Sequence, residues 1–461
     1  MTGVQTCALP IWRNARPELY LDYETIPPRG PLAALTVPGA IGGWMLALQA
    51  AKAHGGMLPL DLLLADAIAH ARDGYQVTRS QERLTRENIE NLKSAPGFAE
   101  TFLVDGKVPT LGATLKQEKL SATLSHLAHA GLADFYRGDV GYEIAADLER
   151  IGSPVTREDL TSYEAKPADP LQVRLSAGTV YNTDAPTQGI ASLMILALFD
   201  RLGVKEPEGF DHIHGLIEAT KRGLRARDRA VTDPNYLAHP LDRYLDPRFL
   251  AGETMKIDRR KAARWPVEPK GGDTVWMGAA DSSGLVVSYI QSLYWEFGSG
   301  CVLPGTGVLM QNRGASFSLQ SGAANPLMPG RLPIHTLNPA LAVLDDGRIM
   351  AYGCMGGDGQ PQTQGAVFTR HVTFREPLDR AIDRPRWVLG RTWGASRTAL
   401  RLEARFDGNL IDQLASAGHE VDVLAEDYSD VMGHAGAIVL HKDGTCEGAH
   451  DPRADGGAAG V

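Results

Sequence analysis

Cysteine is scarce in this chain. Its 461 residues hold four, Cys7, Cys301, Cys354 and Cys446, far apart and with no Cys-x-x-Cys pair, which excludes a disulfide scaffold and a cysteine-built metal knuckle. The 13 histidines add no metal-ligand spacing, so neither metal nor cofactor is expected. Long hydrophobic runs are missing as well. Charge or glycine interrupts each apolar stretch within about 12 residues, short of the roughly 20 a membrane helix needs, so the protein reads as soluble with no membrane partner. The net charge of -9 is spread over the whole length, without like-charge blocks or a basic stripe interleaved with aromatics, and nucleic acid is excluded as a partner.

What remains is globular composition: 43% hydrophobic and 22% charged residues, with 50 Gly and 28 Pro for many turns. The length suits two or three units of about 150 residues, or one large layered domain. The opening MTGVQTCALPIW has neither the basic start nor the apolar core of a signal peptide. It resembles translated sequencing-adapter read-through, so residues 1–12 read as artefactual. An export signal would be lost with the genuine beginning, which leaves localisation open, the cytoplasm ahead of the periplasm.

Along the chain, Leu58 to Val77 carries apolar residues at helical spacing and reaches Asp73-Gly74, a helix with a glycine stop. Thr156 to Asp159, before Leu160, has the form of a capping box with Asp in the Glu slot. Gln188 to Leu202 and Phe210 to Val231 read as two further helices, the first nearly all apolar and therefore buried. The first half is mostly helical. From Trp265 and Pro266 onward the grammar changes to short β-type runs and turns: Thr274 to Ala280, Leu285 to Leu293, then Leu341 to Leu344 and Ile349 to Tyr352 around Asp345-Asp346-Gly347. A helix over Leu410 to Ala417 and strands over Val421 to Leu424 and Ala437 to Leu440 follow.

One threonine raises a chemical question. Thr274 heads an alternating run after Gly271-Gly272-Asp273. A threonine that becomes the first residue of a new chain has a nucleophilic hydroxyl and a free α-amine to take its proton. An α-amine ordinarily titrates at about 7.7 to 8.0, so it needs no histidine to be partly deprotonated near neutral pH. Reaching this state requires cleavage between Asp273 and Thr274. The bland alternative is an ordinary strand threonine.

The stretches FGSGCVLPGTGVLMQNRGASFS, GRLPIHTLNPALAVLDDGR, GCMGGDGQPQTQG and GAHDPRADG follow in order. With the Thr274 strand and its Asp281-x-x-Gly284 turn, they make the chain resemble the gamma-glutamyltranspeptidase family of N-terminal nucleophile hydrolases over nearly its whole length. The resemblance implies an α+β fold, a four-layer αββα sandwich. It also implies self-cleavage into a larger subunit, residues 13–273, and a smaller one, residues 274–461, that stay together as partners. A homo-oligomer is a further option. The nucleophile falls on Thr274. The hydroxyl that contacts its amine falls on Ser292, serine where the family has threonine. The oxyanion-stabilising pair falls on Gly356 and Gly357, where absent side chains let two N–H groups meet a developing negative oxygen. Otherwise that pair is a plain turn or a phosphate loop, although the Lys-Ser/Thr of the latter is missing.

Departures accompany the matches. Val275 replaces the family's second threonine, and Tyr294 the asparagine that helps hold the glutamyl group. Ser316 stands for the acid that pairs with the α-ammonium, and Arg313 for the neighbouring glutamine. His335-Thr336 replaces the serine pair on the α-carboxylate. The carboxylate-binding arginine would lie upstream of residue 13. Without the amino-acid clamp, Arg313, His335 and Thr336 suit a carboxylate or oxo-acid better than a zwitterion. In the bland reading Arg313 is a solvated loop residue and His335 a packed or turn histidine. The pattern is similar to a divergent branch whose members include amidohydrolases of small non-glutamyl amides such as oxamate. The expected activity is hydrolysis, or transfer, of an acyl group from a small amide through an acyl-threonine. The alternatives are glutathione hydrolysis proper and a relative that does not mature or catalyse.

Overall fold

The structure is a computed structural model that describes residues 16–265, 273–320, 322–390 and 399–460. Residues 1–12, Pro266, the Gly271-Gly272 turn and the Asp273 side chain singled out above lie outside the described parts. The chain forms two compact units, Met1–Asp169 with Leu293–Pro333, and Pro170–Ser292 with Ile334–Val461. These divisions follow packing and cross the expected subunit split, which is a covalent one.

The first unit is helical. Its helices include Ala40–Ala53, Leu60–Asp73, Arg79–Leu92, Glu118–Ala130 and Asp139–Ile151. The Leu60–Asp73 helix stops at Gly74, whose φ of 104° a side chain would resist, and the chain turns into a ribbon of Tyr75–Gln76 with Thr114–Leu115. The helix thus ends at the glycine stop read from the sequence, and Tyr75–Gln76 beyond it are extended. The capping box is present: the Thr156 hydroxyl accepts from Asp159 N–H at 3.3 Å, and Asp159 accepts from Thr156 N–H at 2.9 Å.

The second unit is organised by a six-stranded antiparallel sheet in the order Cys446–His450, Ala435–Leu440, Ile349–Cys354, Ala340–Leu344, Gly178–Asn182, Leu171–Leu175. Its last two strands lie in the half of the sequence read as helical. They alternate in burial, apolar Leu171, Val173 and Leu175 inward and Gln172 and Arg174 outward, a short hairpin overlooked beside the longer helices. One face of the sheet, with Ala342, Met350, Tyr352, Ala437 and Val439, shares a core with the helix Gly189–Leu202 and with Phe210–Ala230. The first of these helices is apolar except for Ser192 and, near its end, Asp200 and Arg201, and is buried almost throughout.

The other face receives the strand Asp273–Ala280. Gly353 and Gly436 are direct partners across two neighbouring strands, and the indole of Trp276 occupies the space their missing side chains leave. A Cβ on Gly353 would stand 2.0 Å from the Trp276 ring, and one on Gly436 would stand 2.6 Å from it. Trp276 Nε1 donates to Ser288 Oγ at 3.0 Å, on the paired strand Val286–Tyr294. Successive strand side chains alternate, so Thr274 shares the sheet-facing side with Trp276, while Val275 and Met277 are exposed. The turn between the two strands is built by Asp281, whose Oδ1 accepts from Ser283 N–H at 2.9 Å and Leu285 N–H at 3.1 Å, with Gly284 at φ 95°.

The DPRADG segment is structural. Asp451 pairs with Arg386 and, at 3.0 Å, with Arg453, whose Nε donates to Glu403 at 2.6 Å; all four side chains are buried. Burial alone would raise the Asp451 pKa, but Arg386 and Arg453 outweigh it and hold the carboxylate below its usual range.

Two outcomes follow from this packing. Gly436→Ala is expected to lower stability by about 1–3 kcal/mol through overpacking against Trp276, and co-substitution Trp276→Phe should recover part of it in thermal unfolding. Because the Asp451 pKa is depressed on folding, its contribution is full above the unfolded carboxylate pKa and is lost as pH falls through the folded value. Asp451→Asn should therefore cost about 3–5 kcal/mol at neutral pH and remove part of the acid limb of the stability profile.

Candidate functional site

The strand Ile349–Cys354 ends where Met355 leads into Gly356 and Gly357, and the helix Gln360–Phe368 starts three residues later. Both glycines have positive φ, 121° and 51°, which explains why the pair has no side chains. Each peptide plane in the turn is held through its carbonyl. The Cys354 thiol donates to Met355 O at 2.6 Å, and Gly359 N–H donates to Gly356 O at 2.7 Å. In a trans peptide the N–H points opposite its carbonyl, so these two bonds fix the directions of the Gly356 and Gly357 N–H groups. The adjoining helix N-terminus adds positive potential.

Thr274 is brought to this turn's helix. Gln360, fully buried, aims its Nε2 at Thr274 Oγ1 across 3.4 Å, a long and weak hydrogen bond. Gln360 Oε1 is buried and has no hydrogen-bond partner among the described residues. Ser292 lies on the partner strand of the same hairpin.

Behind the glycine turn is a buried network absent from the sequence reading. Gln188 Nε2 donates to Gly357 O and to Thr336 O, each at 2.7 Å. Its Oε1 accepts from Arg227 Nη1 at 2.8 Å, and the same Nη1 donates to Asp358 Oδ1 at 2.6 Å. Burial would lower the Arg227 pKa, but Asp358 and Asp228 outweigh it and raise it. No sequence signal singles out Gln188 at the head of an apolar helix or one arginine among several on Phe210–Ala230. Their roles come from long-range pairing.

His335 and Thr336 reach the same network. The His335 backbone N–H donates to Pro186 O at 3.0 Å, and its ring Nδ1 accepts from Leu337 N–H at 3.2 Å, which leaves the proton of a neutral ring on Nε2. In this respect it is a turn histidine. The Thr336 hydroxyl is buried with no hydrogen-bond partner among the described residues.

Tyr294, Arg313 and Ser316 belong to the first unit. Arg313 is 3% exposed, which overturns the reading of it as a solvated loop residue. Its guanidinium lies 4.3 Å from the Tyr294 ring centroid, a cation–π contact. Burial pushes its pKa down to about 10, with Tyr294 opposing. Tyr294 holds φ 85°, a left-handed backbone for a bulky residue. Ser316 ends the turn Arg313–Ser316, and its buried hydroxyl has no hydrogen-bond partner among the described residues.

One cluster of metal-ligand type was not legible in the spacing. His214, Glu218 and His419 place their donor atoms within 4.8 Å of one another. The carboxylate is already engaged by Lys221 at 2.7 Å, and His214 Nδ1 faces His419 Nε2 at 2.9 Å, which makes a satisfied polar cluster the simpler description. No helix among the described residues is long and apolar enough to cross a membrane.

The chain has relatives among known proteins. A family model described as gamma-glutamyltranspeptidase matches residues 13–461. The chain is 49% identical over 444 residues to the oxamate amidohydrolase proenzyme of Klebsiella pneumoniae subsp. pneumoniae, covering 96% of this chain and 84% of that one. It is 37% identical to the glutathione hydrolase-like YwrD proenzyme of Bacillus subtilis, over 97% and 85% of the two chains. In structure it is similar to the cephalosporin acylase of Bacillus halodurans, with a TM-score of 0.87, 29% identity, and 98% and 84% of the chains covered. The α+β fold is thus that of the N-terminal nucleophile hydrolases. The chain belongs to the gamma-glutamyltranspeptidase family, as a self-processing hydrolase of amide bonds.

Proposed function

We propose that the chain cleaves itself between Asp273 and Thr274 and then hydrolyses a small amide of an oxo-acid or dicarboxylic acid. The observation that carries this reading is Thr274, directed by the Trp276 anchor toward the helix that follows a double-glycine turn. Maturation begins when Thr274 Oγ attacks the Asp273 carbonyl carbon. The C–N bond breaks as the ester forms, and water hydrolyses the ester. Asp273 is left as a carboxylate, ending the 13–273 subunit, and Thr274 as a free amine, beginning the 274–461 subunit.

In turnover the Thr274 hydroxyl attacks the amide carbon and its α-amine takes the proton. Gly356 and Gly357 N–H groups meet the oxyanion, a contribution of roughly 3–4 kcal/mol per donor. The Ser292 hydroxyl positions the amine. The leaving amine departs with the proton, and water releases the acid from the acyl-threonine. Thr336 and His335 supply polar contacts beside the turn, and the family resemblance alone offers Arg313 for a substrate carboxylate. With Ser316 in place of an acid, nothing in that set rewards an α-ammonium, which favours an amide such as the one named for the Klebsiella relative over glutathione.

The test is direct. Purified chain should resolve into fragments of about 29 and 20 kDa, from roughly 110 Da per residue, and Thr274→Ala should stay whole. Processed protein should hydrolyse oxamate and related monoamides faster than γ-glutamyl anilides; the reverse preference overturns the substrate assignment. Its kcat/KM should rise with pH through the α-amine pKa of about 7.7–8.0. Gln188→Ala should lower kcat about 10- to 100-fold with a smaller change in KM, because the turn shifts while the substrate groups remain.

A further inference from the structure

The helix Phe210–Ala230 carries Arg222, Arg225 and Arg229 three and four residues apart, hence on one face. With Lys256 they line a cavity of 280 Å³ over Phe249, and Glu253 is the one carboxylate there. Four cations and one carboxylate give the lining a formal charge of +3. Glu253 is committed to Arg222 at 2.7 Å and to Lys256. Arg222 Nη2 donates to Lys256 O at 2.8 Å, yet its Nε is buried with no hydrogen-bond partner among the described residues. Burial lowers the Arg225 pKa, and Arg222 and Arg229 lower it further, the electrostatic mark of crowded like charges.

Holding helix Pro247–Thr254 in place needs the Arg222–Glu253 pair but not Arg225, which donates one Nη2 bond to the Arg264 carbonyl, nor the exposed Arg229. We propose that this cavity binds a small anion with two or more negative charges on oxygen, either a phosphate group or a polycarboxylate. Guanidinium forks match such oxyanions in the plane. An aromatic, low-dielectric wall strengthens the field, and the volume admits a small molecule rather than a polymer. Arg227, on the same helix, points instead to Gln188 and Asp358, so the anion site and the threonine chemistry use different arginines. The inference stands independently of the amidase reading.

Calorimetric titration of the full chain with inorganic phosphate, and separately with citrate, against sodium chloride at matched ionic strength provides the test. Saturable one-to-one binding of either is expected, phosphate alone indicating a phosphate-bearing ligand and citrate alone a polycarboxylate. Arg225→Gln and Arg229→Gln should each weaken it about tenfold, and Thr274→Ala should leave it unchanged. Should Arg225→Gln fail to fold, exposed Arg229→Gln decides, with folding checked by circular dichroism. Absence of saturable binding by both anions, or undiminished binding in folded Arg229→Gln, overturns the proposal.

Discussion

The indole of Trp276 lies in the space left by two glycines that face each other across neighbouring strands, Gly353 and Gly436. Two sheets normally stack about 10 Å apart, with side chains from both between them. Here one large ring does that work on a patch with none of its own, and its nitrogen is satisfied by Ser288. The consequence is positional. A strand held three residues from its start cannot slide by one residue without turning the ring to solvent and Val275 inward. The register that keeps Thr274 directed at Gln360 is thus set by packing rather than by polar contacts.

The same division between packing and chemistry holds at the glycine turn. Its proposed donors are main-chain groups, and the side chains around it, Cys354, Gln188, Arg227 and Asp358, hold carbonyls or one another. Preorganised donors of this kind need no reorientation when charge develops. Thr336 and His335 sit on the network's edge and can vary in character without disturbing the turn, since Thr336 is held through its carbonyl. This separation accounts physically for one scaffold carrying different amide substrates among its relatives.

Local signals in the sequence were readable where a single element carries them. The Thr156 capping box, the glycine stop at Gly74 and the nearly all-apolar Gly189–Leu202 helix each follow from neighbouring residues. The Thr274 strand and the glycine turn were legible as local elements, while the roles assigned to them rest on the family resemblance. The hairpin Leu171–Asn182 was not, because two short alternating strands stand beside stronger helical periodicity. Pairings such as Gly353 with Gly436, Gln188 with Gly357, and His214 with His419 join residues far apart in the chain. No spacing rule encodes them, and the choice between a buried and a solvated Arg313 is made by the fold around it.

Gln188 has a consequence of its own. Its carboxamide is read at both ends, nitrogen to two carbonyls and oxygen to a guanidinium. A glutamate of the same shape would satisfy the arginine yet set a carboxylate oxygen against two carbonyl oxygens. The exchange of Gln for Glu, among the mildest on a protein surface, therefore becomes a polarity reversal at this spot. Spontaneous loss of the side-chain ammonia would inflict the same lesion, so the buried amide is where chemical ageing would do the turn most harm.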